Sequence, residues 1–199
     1  MSRYTGPKNR LSRREKFDLF GKGNKLRRAQ NPPGQHGLKS SRRPSDFGVQ
    51  LREKQKTKRI YGIIERQFKG YFDKAKKVRG KTGAHLLRLL ETRLDNVVYR
   101  LGFVPTRAMA RQLVSHNHVL VNAGVVSIPS YQIDMDDIIS LDATAITIHQ
   151  VKICLDNPKL SHPAWLQRTG SQGKVINFPS REHITSPINE QLIVEFYSR

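Results

Sequence analysis

The sequence predicts an α+β fold: a mostly helical first domain and a small antiparallel α/β module, preceded by an irregular basic arm. Three observations predict it. Residues 1–46 carry glycine at 6, 21, 23, 34 and 37 and proline at 7, 32, 33 and 44, with little apolar periodicity. Such a stretch cannot bury enough apolar surface to offset the entropy of fixing its backbone, so it reads as an arm. From Val49 to Leu101 apolar residues recur every three or four positions between glycine breaks, the mark of amphipathic helices. From His118 onward the period shortens to two and β-branched residues gather, the mark of strands.

Element by element, VQLREKQKTKRIY at 49–61 suits a helix with Arg52, Lys56 and Arg59 along one side. Gly62 separates it from a second helix whose apolar stripe is Ile64, Phe68, Phe72 and either Ala75 or Tyr71. Gly80 and Gly83 bracket another break before the leucine-rich Ala84 to Leu90. Thr92 is placed to cap a helix with Leu94, Val97, Val98 and Leu101 on one face, and Gly102 supplies a left-handed stop. Thr106 starts the next helix. On it Arg107 and Arg111, four apart, leave the same side, while Ala110, Leu113 and Val114 face inward.

After Ser115, His116 and Asn117 a hairpin is expected, with His118 to Asn122 as one strand, Ala123-Gly124 as the turn and Val125 to Ile128 as the return. A corner at Pro129-Ser130-Tyr131 and a turn at Asp134 to Asp137 lead to strands at Ile138 to Leu141 and Ala145 to Ile153. Asn157 to Gly173 reads as a loop with one helical turn at Ala164 to Arg168, and Lys174 to Phe178 as a short strand. At the end Ile188, Leu192, Ile193 and Phe196 fit a helix, while LIVEFY alone also fits a strand. The division is therefore an arm over 1–46, a helical domain over 47–90 and a sheet-containing module over 91–178.

Charge narrows the function. Lys and Arg number 36 against 16 Asp and Glu, a net charge of +20 in 199 residues. Residues 1–100 hold 28 basic and 8 acidic side chains and residues 101–199 hold 8 of each, so the whole excess lies in the first half. A surface so unbalanced repels itself until phosphates neutralise it, which points to nucleic acid. A membrane surface is the competing anion, but no apolar run approaches the roughly 20 residues needed to span and no strongly apolar helix accompanies the cations. Cys154 is the single cysteine, which excludes an internal disulfide and fits a reducing compartment. The N-terminus has neither an apolar signal core nor an acid-free transit segment, since Glu15 and Asp18 interrupt it.

Several patterns suggest chemistry and fail on inspection. AKKVRGKT at 75–82 resembles a phosphate-binding loop with alanine in the first glycine position, but that loop needs a preceding strand and here a helix precedes. Lys76, Lys77, Arg79 and Lys81 read instead as contacts to RNA phosphates at an interhelix bend. His116 and His118 have no acidic or thiol companion in the pattern, so a donor to RNA or plain exposure fits better than a metal site. Asp134, Asp136 and Asp137 form a turn that should face away from RNA. The aromatics are scattered and build no base-stacking platform, and Trp165 beside Pro163 should anchor its loop on the second domain.

LETRLDNVVYRLGF followed by RAMARQLVSHNHVLVNAGVVSIPSY resembles the RNA-binding domain named after small-subunit ribosomal protein S-four. RYTGPKNRLSRRE at 3–15, PPGQHG at 32–37 and INEQLIVEFYSR at 188–199 extend the resemblance to that ribosomal protein family along nearly the whole chain. The resemblance implies that the C-terminal segment, 179–199, returns to complete the helical domain. It implies RNA contacts at Arg3, Tyr4, Lys8, Arg10, Arg13, Arg14, Gln35 and His36 in the arm, and at Arg52, Lys56, Lys58, Arg59, Arg66, Lys69, Lys76, Lys77, Arg79 and Lys81 on the helices. In the module it implies Arg107, Arg111, Gln112, Ser115, His116, His118 and Asn122, residue types that meet phosphate and 2′-hydroxyl groups without reading sequence.

Many members of the family hold zinc in the arm through four cysteines; here Asn9 and Ser12 stand where the first two would be, so no metal and no cofactor is expected. The implied function is a non-catalytic structural protein of the cytoplasmic ribosome. It would bind a multi-helix junction of small-subunit ribosomal RNA early in assembly, border the channel through which messenger RNA enters, and touch ribosomal protein S-five through the neutral residues 134–190. The alternatives are an RNA-modifying enzyme or a ribosome-associated RNA chaperone carrying the same module. An enzyme needs a separate catalytic domain, and outside 90–153 the sequence shows no nucleophile-base constellation.

Overall fold

A computed structural model describes residues 4–21, 23, 31–37, 44–157, 162–184 and 186–198. They form two compact units, one from residues 1–83 with 187–199 and one from 84–186. Arg3 lies outside the described residues.

The first unit is helical. Helix α1 (Lys8–Glu15) stands inside the stretch expected to be irregular. Ser12 accounts for it: buried, its hydroxyl accepts from the amide of buried Leu19 at 3.4 Å, folding the chain after α1 back on the helix. Helix α2 (Asp46–Ile60) is capped by Ser45, whose side chain accepts from Gly48 N at 3.2 Å. Helix α3 (Glu65–Lys77) buries Phe68, Tyr71, Phe72 and Ala75, so both alternatives for the stripe lie on the inward face. Helix α4 (Thr82–Glu91) runs across the boundary between the units.

The C-terminal segment resolves as a helix, α9 (Glu190–Tyr197). Asn189 caps it, accepting from the amides of Gln191 and Leu192. Its rings pack inward: Tyr197 stacks on Phe72 with centroids 4.6 Å apart, and Phe196 lies 5.5 Å from Phe47.

The second unit layers helices against an antiparallel five-stranded sheet of order β2-β1-β3-β5-β4, in line with the α+β expectation. Helices α5 (Leu94–Arg100) and α6 (Arg107–Ser115) precede β1 (Val119–Val121), β2 (Gly124–Val125) and β3 (Ile138–Leu141). Helices α7 (Ala143–Thr147) and α8 (His149–Leu155) follow, then β4 (Leu166–Thr169) and β5 (Gln172–Val175). Leu94, Val97, Val98 and Leu101 meet Val119, Ile139 and Val175 in one core, closed by the nearly inaccessible Trp165. Burying such side chains stabilises by about 1.5–3 kcal/mol each.

Five local expectations are corrected. Thr92 does not cap α5; its hydroxyl lies 3.0 Å from the Arg88 carbonyl, and the first free amides of α5, at Leu94 and Asp95, are taken by the carbonyls of Tyr131 and Pro129. The hairpin turn is Asn122-Ala123, not Ala123-Gly124. Both turn residues have positive φ (49° and 67°), and Val121 pairs with Gly124 across the turn. Ala145 to Ile153 forms two short helices meeting at Ile148 rather than a strand, because Ala145, Val151 and Cys154 are buried and Ile148 half-buried at helical spacing, and the period outweighs β-branched composition. Ala164 to Arg168 is not a helical turn: Leu166 onward pairs with β5 around Gly170, whose φ of 58° makes the reversal. The strand expected at Lys174 to Phe178 begins two residues earlier and ends at Val175.

Candidate nucleic-acid interface

In the second unit α6 is launched by Thr106, whose hydroxyl accepts from Met109 N at 3.3 Å. Behind it lies a buried polar ladder. The Glu91 carboxylate, 1% exposed, accepts from Asn96 Nδ2 at 2.7 Å and from Arg100 Nε and Nη2 at 3.0 and 2.7 Å. Glu91 thereby orients the Asn96 amide so that its oxygen meets Arg107 Nε at 2.8 Å, while the Arg107 guanidinium lies over the Tyr99 ring at 4.4 Å. Arg107 is thus held in one orientation at the start of α6. Arg111 differs from the exposed position expected: it is 8% exposed, with Nη1 3.7 Å from Asp95 Oδ2, and Asp95 also accepts both prongs of the fully buried Arg93.

Gln112, Ser115 and His116 are exposed at the end of α6 and His118 is half-buried. Asn117, with φ of 65°, makes the bend that hands the helix into β1. Asn122 is exposed but engaged: it donates to Asp137 Oδ1 at 2.7 Å and accepts from Ile138 N at 3.0 Å, tying the hairpin to β3. Asp136 pairs with Lys174 at 2.8 Å, and Asp137 also accepts from Asp134 N, so the acidic segment is a closed turn.

In the first unit Lys8, Arg10 and Arg14 are exposed on α1, and Tyr4 before it is half exposed. Arg13 donates to the carbonyls of Asn31 (2.9 Å) and Pro32 (3.5 Å), and Arg14 to that of Pro33 (3.3 Å). Those bonds strap the turn that displays Gln35 and His36 onto α1. Gly37 must be glycine there, since a Cβ would meet the Pro32 carbonyl at 2.0 Å.

Four cations that the sequence offers to phosphate are already paired with carboxylates. Arg52 and Arg59 share Oε1 of Glu15, Arg52 at 3.1 Å; Lys56 meets Glu53 at 2.9 Å and Lys58 meets Glu65 at 3.0 Å. Glu15 is 1% exposed, and burial pushes its carboxyl up despite the opposing arginines. Arg66, Lys69, Lys76, Lys77, Arg79 and Lys81 are exposed on and after α3. Lys74, one turn before Lys77, is exposed there too and belongs with them; its spacing from Lys77 and Lys81 is the signal that could have found it.

Among the described residues no group of three or more His, Cys, Asp or Glu could hold a metal. Asn9 and Ser12, where the resemblance would place the first two zinc ligands, offer no thiolate, and the Ser12 hydroxyl accepts from Leu19 N. No described helix is long and apolar enough to cross a membrane.

Residues 3–91 match the family model described as the ribosomal protein S4/S9 N-terminal domain, and residues 92–139 match the S4 domain. Small ribosomal subunit protein uS4 of Dictyoglomus turgidum is 51% identical over 209 residues, covering the whole of both chains. The chain belongs to the uS4 family. Two further uS4 relatives, uS4A of Clostridium botulinum (51% identical over 208 residues) and uS4 of Salinibacter ruber (47% over 201), also match over the full length of both chains. The match to the S4 domain begins at Thr92, just past the end of α4, and takes in α5, α6, β1, β2 and the start of β3. The cations of α1, α2 and α3 fall within the N-terminal domain of the uS4 family.

Proposed function

We propose that this chain is a structural, non-catalytic constituent of the small subunit of the cytoplasmic ribosome and that it binds folded small-subunit ribosomal RNA through phosphates and ribose hydroxyls. The observation that carries this reading is the cation display within a uS4-family chain. Exposed lysines and arginines on α1 and on and after α3 contribute to an excess of +20 that lies wholly in residues 1–100. The fixed Arg107 and the polar turn after α6 supply a second set of contacts in the S4 domain. Donors of this kind track a backbone and its shape rather than a base sequence.

The contact residues are the exposed cations and polar groups of each unit together with the half-buried Arg107 and His118. Arg111, buried beside Asp95, acts by supporting α6. Gripping several RNA helices gives the protein a part early in subunit assembly, and the cationic first half suits the wall of the channel through which messenger RNA enters. The charge-balanced residues beyond 134 suit protein neighbours, ribosomal protein S-five among them.

Chemical footprinting of the purified protein on naked small-subunit RNA tests the reading. A compact footprint at one multi-helix junction is expected, and diffuse protection overturns it. Incubation with transfer RNA and modification cofactors should leave every base unchanged; a modified base favours the enzyme alternative.

A further inference from the structure

Beside the turn that ends α6, one side chain has its hydrogen-bonding sense fixed by its neighbours. The Thr144 hydroxyl donates to Asp142 Oδ2, and its oxygen lies 3.3 Å from His118 Nδ1. A hydroxyl carries one proton, and an ionised carboxylate only accepts. The Thr144 hydroxyl and the backbone amides of Ala143 and Thr144 hold the Asp142 carboxyl below its ordinary range, so the Thr144 proton is committed to Asp142. Toward His118, Thr144 Oγ1 can therefore only accept, and Nδ1 must carry the hydrogen. In the neutral imidazole Nε2 is then a bare acceptor. Among the described residues Nε2 takes part in no hydrogen bond.

The backbone holds this relay in register. Val119 pairs with Leu141 in the sheet, and Asp142 N donates to the His118 carbonyl at 3.1 Å, so the histidine and the start of α7 cannot slide past each other.

We propose that His118 Nε2 accepts a hydrogen bond from a ribose 2′-hydroxyl of the bound RNA and that Thr144 is the positioning residue that fixes the required tautomer. This rests on the RNA-binding reading above and adds to it what would tell RNA from DNA. Lysine and arginine are donors only: they meet phosphates, which RNA and DNA share. The 2′-hydroxyl is the group DNA lacks, and a side chain of fixed accepting sense can take its proton. With the opposite tautomer, Nε2 would be a donor, able to meet the phosphates that RNA and DNA share, whereas a bare Nε2 cannot bond a phosphate.

The test uses the full-length, 15N-labelled protein at pH 8 and the ribosomal RNA fragment protected in footprinting, synthesised with single 2′-deoxy substitutions. Two-bond 1H–15N correlations of the free protein should show His118 as the Nδ1–H tautomer, and Thr144→Val should release it. With wild type, one 2′-deoxy position should weaken binding roughly five- to tenfold, the value of one hydrogen bond. His118→Ala should bind the all-ribose RNA more weakly by a similar factor and be indifferent to that substitution, with amide spectra unchanged outside the turn. An Nε2–H tautomer in wild type, or the same 2′-deoxy penalty in His118→Ala, overturns the proposal. If wild type binds RNA but no 2′-deoxy position matters, only this proposal falls; if it does not bind ribosomal RNA at all, the functional reading falls with it.

Discussion

At Gly173 the sheet closes on Leu101, the residue that ends α5. A Cβ there would lie 2.5 Å from both δ-carbons of Leu101, deep in a core with no room to yield. Gly173→Ala should destabilise the second unit by about 1–3 kcal/mol, seen as a lower denaturant midpoint at unchanged m; an unmoved midpoint contradicts the packing. Asp95 is a second such point, since it is the carboxylate for the fully buried Arg93 and lies within reach of Arg111. Asp95→Ala removes two charge-assisted hydrogen bonds from the buried Arg93 and should cost about 3–5 kcal/mol in an unfolding titration. Replacing Asp134 in the exposed acidic turn should cost little. Neither burial was legible beforehand. Four-residue spacing correctly put Arg107 and Arg111 on one side of α6, but spacing does not say whether that side meets water or Asp95. Arg168 is similar: an ordinary cation in the sequence, it donates to the carbonyls of Leu101, Gly102, Cys154 and Leu155, closing the ends of α5 and α8.

Among the elements, α2, α3 and α9 meet at Glu65. Its carboxylate accepts from Lys54 at 2.7 Å and Lys58 at 3.0 Å on α2, and from Tyr197 Oη on α9 at 2.8 Å. Burial opposes the charge, but these three hydrogen bonds outweigh it and hold the carboxyl at about 2. Because the folded value lies below the ordinary one, the stabilisation is complete above the usual carboxylate range and is lost as pH falls toward 2. The carboxylate is partly open to solvent, so the loss amounts to about 1–2 kcal/mol. Glu65→Gln should flatten the acid limb of the stability profile between pH 4.5 and pH 2; an unchanged limb contradicts the junction. The helices were legible because their apolar stripes run long enough for the period to show. The short elements were not: at Ala145 to Ile153 β-branched composition and helical period disagreed, and only burial of one face decides between them. For LIVEFY the deciding signal was Asn189, a helix cap just ahead of the run.

For the whole molecule, charge and motif were the most legible features, because both are properties of the chain before it folds. The family resemblance, the α+β class and the RNA-binding character all came from residues that can be read in order. How the cations are used was not legible: the structure diverts Arg52, Lys56, Lys58 and Arg59 into internal ion pairs, leaving α1 and the region on and after α3 with the exposed positive charge. Charge reversal at exposed Lys69 and Lys77 should therefore weaken RNA binding in proportion to the phosphates lost. Reversal at Lys58 should act mainly on stability by leaving Glu65 facing a like charge, a difference that paired binding and unfolding measurements separate. The account as a whole stands on neutralisation of RNA phosphates by this cationic chain, and the salt dependence of its affinity for small-subunit ribosomal RNA measures that directly. With about six to ten phosphates contacted, affinity should fall roughly 10³- to 10⁵-fold between 50 and 200 mM salt. Affinity indifferent to salt, or no saturable binding at the lower concentration, would contradict it.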